Sequence, residues 1–252
     1  MTLAHDVGGT GPGVLLLHST ASDRRQWDPQ LPALVDAGYR VVRCDLRGYG
    51  ETPMPDGPYD NARDVLELLD QLGVERTALV ASSGGGRVAL EIAARWPDRV
   101  ASLALLCTAL DGHEPSPELL AFGEREEALL EAGDVAGATE LNVDTWLPHA
   151  DEATREWLRR MQRNAFEVQL AAVEEVERIR VPYDLADITA PSLLVAGADD
   201  FADFREIAVR LAELLPDARH LELDRVGHLP NMERPDEVNR LLLDFLRETF
   251  PA

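Results

Sequence analysis

Six short apolar runs recur along the chain: VLLLH (14–18), YRVVRCD (39–45), TALVAS (77–82), VASLALLCT (100–108), SLLVAG (192–197) and RHLELD (219–224). They read as strands apolar at nearly every position, the pattern of strands covered on both faces. Between them, helical periodicity runs over 26–37, 60–72, 84–95, 202–215 and 235–249. Strand–helix alternation requires right-handed crossovers, so the pattern predicts an α/β fold with a doubly wound, mostly parallel sheet. Ahead of the first run, TLAHDV and the turn-rich GGTGPG predict one edge strand.

One interval breaks the alternation. From Asp111 to Asp187 the pattern is helical throughout, without a strand. Asp134 and Asp151 are placed to cap the long segments VAGATELNVDTWL and EATREWLRRMQRNAFEVQLAAVEEVERI. The expected organisation is a core of 1–110 and 188–252 with a helical cap, 111–187, inserted over the sheet's C-terminal edge. A second helical layer with no part in binding is the alternative.

The turn after TALVAS sets Ser82 and Ser83 before three glycines, GGG at 84–86. Glycine costs about 1 kcal/mol against alanine inside a helix, so a run of them at a helix start calls for a geometric reason. A nucleophile held on a sharp strand–turn–helix needs small residues two before and two after it. Ser82 would put the β-branched Val80 in the first of these places, whereas Ser83 is flanked by Ala81 and Gly85. Ser83 is therefore the candidate nucleophile.

The segment Ala81-Ser82-Ser83-Gly84-Gly85 is then a G-x-S-x-G elbow with alanine in the first place, and here the chain resembles the α/β-hydrolase superfamily. Four further segments share the resemblance in family order. LLLHSTASDRRQWDPQL resembles the His-Gly loop and Trp-containing helix, with Ser19 where glycine is usual, and CDLRGYGET resembles the D-x-R-G-x-G loop. LLVAGADD resembles the turn that presents the catalytic acid, and DRVGHLPNMERPDEV the loop that carries the catalytic histidine. The order Ser83, Asp200, His228 matches the family's triad order.

The resemblance implies a serine hydrolase of the enol-lactonase and small-molecule esterase branch, cleaving a small ester or lactone through an acyl-enzyme. Ser83, Asp200 and His228 would be catalytic, and the backbone N–H groups of Thr20 and Gly84 would hold the oxyanion. Asp111, ending LLCTALD, is a second candidate for the acid, since some family members place it there. Ser19, Ser82, Trp146 and Trp157 are candidate pocket residues, although packing is the expected use of Ser19 and of the cap residues Trp146, Trp157, Met161 and Phe166. Gly84 is expected to leave room beside the nucleophile. Carbon–carbon bond hydrolysis, a biosynthetic hydrolase or cyclase reaction, and non-catalytic ligand binding remain as alternatives on the same frame.

His18 is expected to shape its own loop, while His5, His113, His149 and His220 read as structural or exposed. Asp45 and Arg47 are expected to stabilise their loop, and Arg24 and Arg25, near the oxyanion loop, to be solvated rather than to steer a substrate carboxylate. Neither metal-ligand spacing nor a nucleotide-binding glycine pattern is present, so no cofactor and no metal are expected.

Composition narrows the partners. The chain has 252 residues and a net charge of −22, with 46 Asp+Glu against 24 Lys+Arg, every one of them arginine. A field of that sign repels nucleic acid and anionic membranes, which leaves a small-molecule substrate; assembly as a homodimer stays open. Cys44 and Cys107 sit inside apolar runs and are expected to be buried free thiols. The N-terminal MTLAHDVGGTG lacks a signal-peptide pattern and the longest apolar run is too short for a spanning helix, so a cytoplasmic location is expected.

Overall fold

A computed structural model describes residues 2–172 and 176–252. Seven strands form one sheet: β1 His5–Gly8, β2 Gly13–Leu17, β3 Arg40–Cys44, β4 Thr77–Ser82, β5 Val100–Leu106, β6 Ser192–Gly197 and β7 Ala218–Leu223. Their order is β1-β3-β2-β4-β5-β6-β7. β1 runs antiparallel to β3, and all other pairs are parallel. Helices α1 Gln30–Asp36, α2 Asn61–Gln71 and α3 Gly84–Arg95 lie between the early strands. Helices α4 Pro117–Glu131, α5 Val135–Trp146 and α6 Glu152–Leu170 lie between β5 and β6, followed by α7 Ala202–Leu214, α8 Pro230–Glu233 and α9 Pro235–Thr249. This is the expected doubly wound α/β architecture with inserted helices.

Alternation along each strand builds the two faces. On β2, Leu15 and Leu17 join a core with α2, α3 and α7, whereas Val14 and Leu16 join one with α1 and α9. Every residue of β2, β4, β5 and β6 is buried. β7 departs from the expectation of full burial, because it closes an edge and only Leu223 of it is buried.

The helix expected over 26–37 is divided. A 3-10 turn covers Arg24–Trp27, and α1 starts only after Pro29. Asp134 and Asp151 do cap α5 and α6, accepting the N–H groups of Gly137 and Thr154. α6 ends at Leu170, and the part of its expected extent that falls on 173–175 lies outside the described residues. Among the described residues of 111–187 there is no strand, only an isolated bridge between Tyr59 and Arg178 and a 3-10 turn at Leu185–Asp187.

The inserted helices carry a small core of their own, in which Val143, Trp146, Leu158 and Met161 pack against Phe204, Leu229 and Met232. Among the described residues, no helix is long and apolar enough to cross a membrane.

Candidate active site

Strand β4 delivers Ser83 at the sheet's C-terminal edge, where functional crevices of open α/β sheets lie. Ser83 has φ 49° and ψ −118°, a left-handed conformation that serine rarely adopts. Such a residue stores roughly 1–3 kcal/mol and persists only where its surroundings over-determine it. Here they do: Ser83 N–H donates to Leu106 O at 3.0 Å, and Ser83 O accepts from Gly86 N–H at 2.9 Å and Ala109 N–H at 3.1 Å.

Each glycine of the run has its own steric reason. A Cβ on Gly84 would collide with the Thr20 side chain, one on Gly85 with the carbonyls of Leu17 and His18, and one on Gly86 with Thr108 Oγ1. The expected free space beside Gly84 is thus taken up by Thr20. The three glycines let α3 start in close contact with the ends of β2 and β5.

Ser83, His228 and Asp200 meet in one hydrogen-bonded chain. His228 Nε2 lies 2.8 Å from Ser83 Oγ and His228 Nδ1 lies 2.7 Å from Asp200 Oδ2. A carboxylate only accepts, so the proton of the imidazole sits on Nδ1 and Nε2 faces the hydroxyl as acceptor. The second Asp200 oxygen accepts the Phe201 N–H at 2.8 Å. The His228 and Asp200 side chains are only 2% and 1% exposed. Asp111 does not reach the imidazole; it stands 3.7 Å from Arg87.

The loop of His228 is held from several sides. Its N–H donates to Trp146 O at 3.2 Å, and the Trp146 ring lies 4.4 Å from the imidazole, centroid to centroid. Gly197, which ends β6, has no room for a Cβ because the carbonyls of Val226 and Gly227 press against it.

Thr20 and Gly84 are neighbours, and among the described residues neither N–H has a hydrogen-bond partner. Ser19 belongs to the framework of the Thr20 loop: its N–H donates to Gln26 Oε1 at 2.8 Å and its hydroxyl accepts from Ala21 N–H at 3.2 Å. Gln26 in turn donates to Asn231 at 3.0 Å, which ties this loop to α8 beside His228. His18 is buried, which holds it below the usual histidine range, and its Nε2 accepts the Leu46 N–H at 3.0 Å. The ring is therefore neutral and its Nδ1–H donates to Ser19 O at 2.8 Å. Ser82 Oγ is buried without a partner among the described residues, and nothing in the structure explains it.

A cavity of about 380 Å³ opens over Ser83 and His228, a volume suited to a small-molecule ligand. Thr20, Arg87, Leu110, Phe204 and Ile207 line it from the core, and Leu119, Phe122, Trp146, Gln162 and Phe166 from the inserted helices. Trp157 does not line it; it packs partly buried against the inserted helices' own core. Met161 is likewise buried in that core, whereas Phe166 faces the cavity.

Other expectations resolve by partner. Arg24 is not simply solvated but pairs with Asp6, Asp45 and Glu51, and Arg25 pairs with Asp23. Asp45 also accepts the Arg24 and Glu51 N–H groups, while Arg47 pairs with Asp64 of α2 at 2.9 Å. His113, expected to be structural or exposed, both lines the cavity and meets Asp203 at 2.9 Å.

Cys44 and Cys107 are buried free thiols, and burial pushes both well above the usual thiol range. Sequence spacing gave no sign that Cys107 comes close to Asp200 and His228. Their ligand atoms lie within 4.8 Å of one another, the one grouping among the described residues that could hold a metal ion. A metal there would have to break the Asp200–His228 hydrogen bond.

The fold is shared with known proteins. A hydrolase from Pseudomonas aeruginosa PA01 superposes with a TM-score of 0.77 at 31% identity, covering 96% of this chain and 93% of that one. The enol-lactonase from Burkholderia xenovorans LB400 superposes with a TM-score of 0.78 at 26% identity, covering 97% and 96%. The 2-hydroxy-6-oxo-6-phenylhexa-2,4-dienoate hydrolase of Comamonas testosteroni is 28% identical over 97% of this chain and 91% of its own. A family model described as "Alpha/beta hydrolase family" matches residues 14–241, and the chain belongs to that family.

Proposed function

We propose that this chain is a serine hydrolase that cleaves a small carboxylic ester or lactone through an acyl-enzyme. The observation that carries the reading is the unbroken line from Ser83 Oγ through His228 to Asp200, at 2.8 and 2.7 Å. A serine hydroxyl is a weak nucleophile until a base takes its proton as it attacks. His228 Nε2 is placed to take that proton, and Asp200 keeps the imidazole in the competent tautomer and stabilises the imidazolium.

Attack on the carbonyl develops a negative oxygen, for which the unpartnered N–H groups of Thr20 and Gly84 are fixed donors. His228 then returns its proton to the leaving alkoxide. Water, activated by the same imidazole, frees the acid and restores Ser83. The inserted helices act as a cap: their aromatic and aliphatic side chains exclude bulk water and limit acyl size. The likeness to the enol-lactonase supports a small ester or lactone as substrate.

A fluorophosphonate probe tests the reading, together with a panel of 4-nitrophenyl esters and small lactones. Labelling of wild type but not of Ser83→Ala, with hydrolysis lost in the variant, is expected. Full hydrolysis by a folded Ser83→Ala protein would sink the assignment.

A further inference from the structure

Arg87 has no part in the chemistry above, yet it lines the same cavity as Ser83. Ser83 is the residue before α3 and Arg87 stands in the helix's first turn, so both belong to the same strand–helix junction. Among the described residues its guanidinium makes no hydrogen bond: Nε is buried without a partner, and the nearest carboxylate, Asp111, stands 3.7 Å from Nη1. That distance is beyond hydrogen-bond reach. Nε is closed off from water without an acceptor, which costs free energy unless a ligand supplies one, while the side chain as a whole is 29% exposed and borders the cavity.

The surroundings favour an anion at this end of the cavity. Arg178 and Arg180 lie close enough to act on Arg87, and burial holds Arg87 below the usual guanidinium range against the pull of Asp111. The cavity's own acids are otherwise occupied. Asp203 accepts from Ser116 Oγ at 2.6 Å and from His113, and Glu126 is bonded to Asn142. Among the described lining residues Arg87 is the one lysine or arginine.

We infer that the cavity takes a substrate with a free carboxylate, a half-ester of a small dicarboxylic acid or a lactone bearing a carboxylate, with that group on Arg87. The inference rests on the serine-hydrolase reading. A guanidinium matches a carboxylate with two parallel N–H···O bonds. Ser83 and Arg87 line the same cavity of about 380 Å³, a size that suits a short chain between the two groups. Hydrolysis of a half-ester consumes one water and releases the alcohol, the dicarboxylate and one proton to solvent. Arg87 positions the substrate and takes part in no bond change.

The test compares 4-nitrophenyl hydrogen glutarate with 4-nitrophenyl valerate, which matches it in length but lacks the charge. Wild type should favour the glutarate in kcat/KM, and Arg87→Met should cut that preference roughly 10- to 100-fold, mainly through KM, as loss of a charged hydrogen-bond pair would. Arg87→Lys should retain part of it. Independently, calorimetry should show glutarate binding to Ser83→Ala and none to the Ser83→Ala/Arg87→Met double variant. Equal rates on the two esters in wild type, or glutarate binding that ignores Arg87, overturns the anion site while leaving the hydrolase standing. Arg87-dependent glutarate binding without hydrolysis of either ester refutes the hydrolase reading instead. Should Arg87→Met fail to fold, the wild-type preference and the Arg87→Lys variant decide the matter.

Discussion

The C-terminal edge of the sheet and the helices inserted between β5 and β6 wall the same cavity but are built differently. At the sheet edge a Cβ would collide with the Thr20 and Thr108 side chains at glycines 84 and 86 and with backbone carbonyls at glycines 85 and 197, and Ser83 is locked in a strained conformation by three backbone hydrogen bonds. In the inserted helices, α4 buries no residue fully. These helices join the core through separate ties: Ser116 to Asp203, Trp146 O to His228, and Gln169 to Gly48 O. On the proposed function, chemistry would rest on the part that cannot move without a clash. Substrate choice would rest on the part that can be altered at modest cost, as expected where function is carried by segments set on a rigid scaffold.

Four substitutions, in three experiments, put this contrast to the test. The largest effect falls on the rigid side. Asp200→Asn leaves the imidazole in the wrong tautomer and should lower turnover about 10⁴-fold, as loss of the acid does in a serine protease triad. Asp111→Asn, remote from His228, should cost far less. Esterase rates of the two folded variants decide this, and the reverse ranking would move the acid to Asp111.

On the helical side, Trp146→Ala removes cavity wall beside the imidazole. Preference between short and long acyl chains should shift by roughly 10-fold or more, the scale on which one methylene is discriminated. Ser83 should still react with fluorophosphonate. Unchanged relative rates across the acyl series, with only a lower Tm, would mean that the helices merely pack.

The smallest effect belongs to one tie. Although burial alone would raise it, Asp203 is held below the usual carboxylate range by Ser116 and His113. A depressed folded pKa contributes stability above the ordinary aspartate value, about 3.9, that is lost as pH falls through the folded pKa. Wild type should therefore lose Tm below about pH 4, and Asp203→Asn should start lower at pH 7, by about 1–3 kcal/mol, with a shallower acid slope. Parallel Tm-against-pH curves for the two proteins would remove Asp203 from the account.

What sequence could reveal follows the same division. The bounds of β4, β6, α3 and α9 were legible because glycine, proline and polar residues punctuate uniform apolar or amphipathic runs. The choice of Ser83 over Ser82 followed from Val80, a purely local steric argument, and the meeting of Ser83, Asp200 and His228 from their order along strands whose ends must coincide. Features set by tertiary packing were not legible. Pro29 divides a periodic stretch into a 3-10 turn and α1, and β7 is exposed only because it closes the sheet. Trp146 and Trp157 look alike in sequence, yet only the first reaches the cavity. The Arg87 signal was present as an arginine four residues after Ser83, but its lack of partners among the described residues is a property of the folded surroundings.

The proposed mechanism requires a covalent intermediate on Ser83. Acid quench of wild type during turnover of a 4-nitrophenyl ester, followed by digestion and fragment-ion sequencing of the peptide that spans LVASSGGGR, tests it directly. An acyl group on Ser83, absent when Ser83→Ala is treated alike, is the predicted result. Rapid turnover with no adduct on this peptide, or an adduct on Ser82, would contradict it.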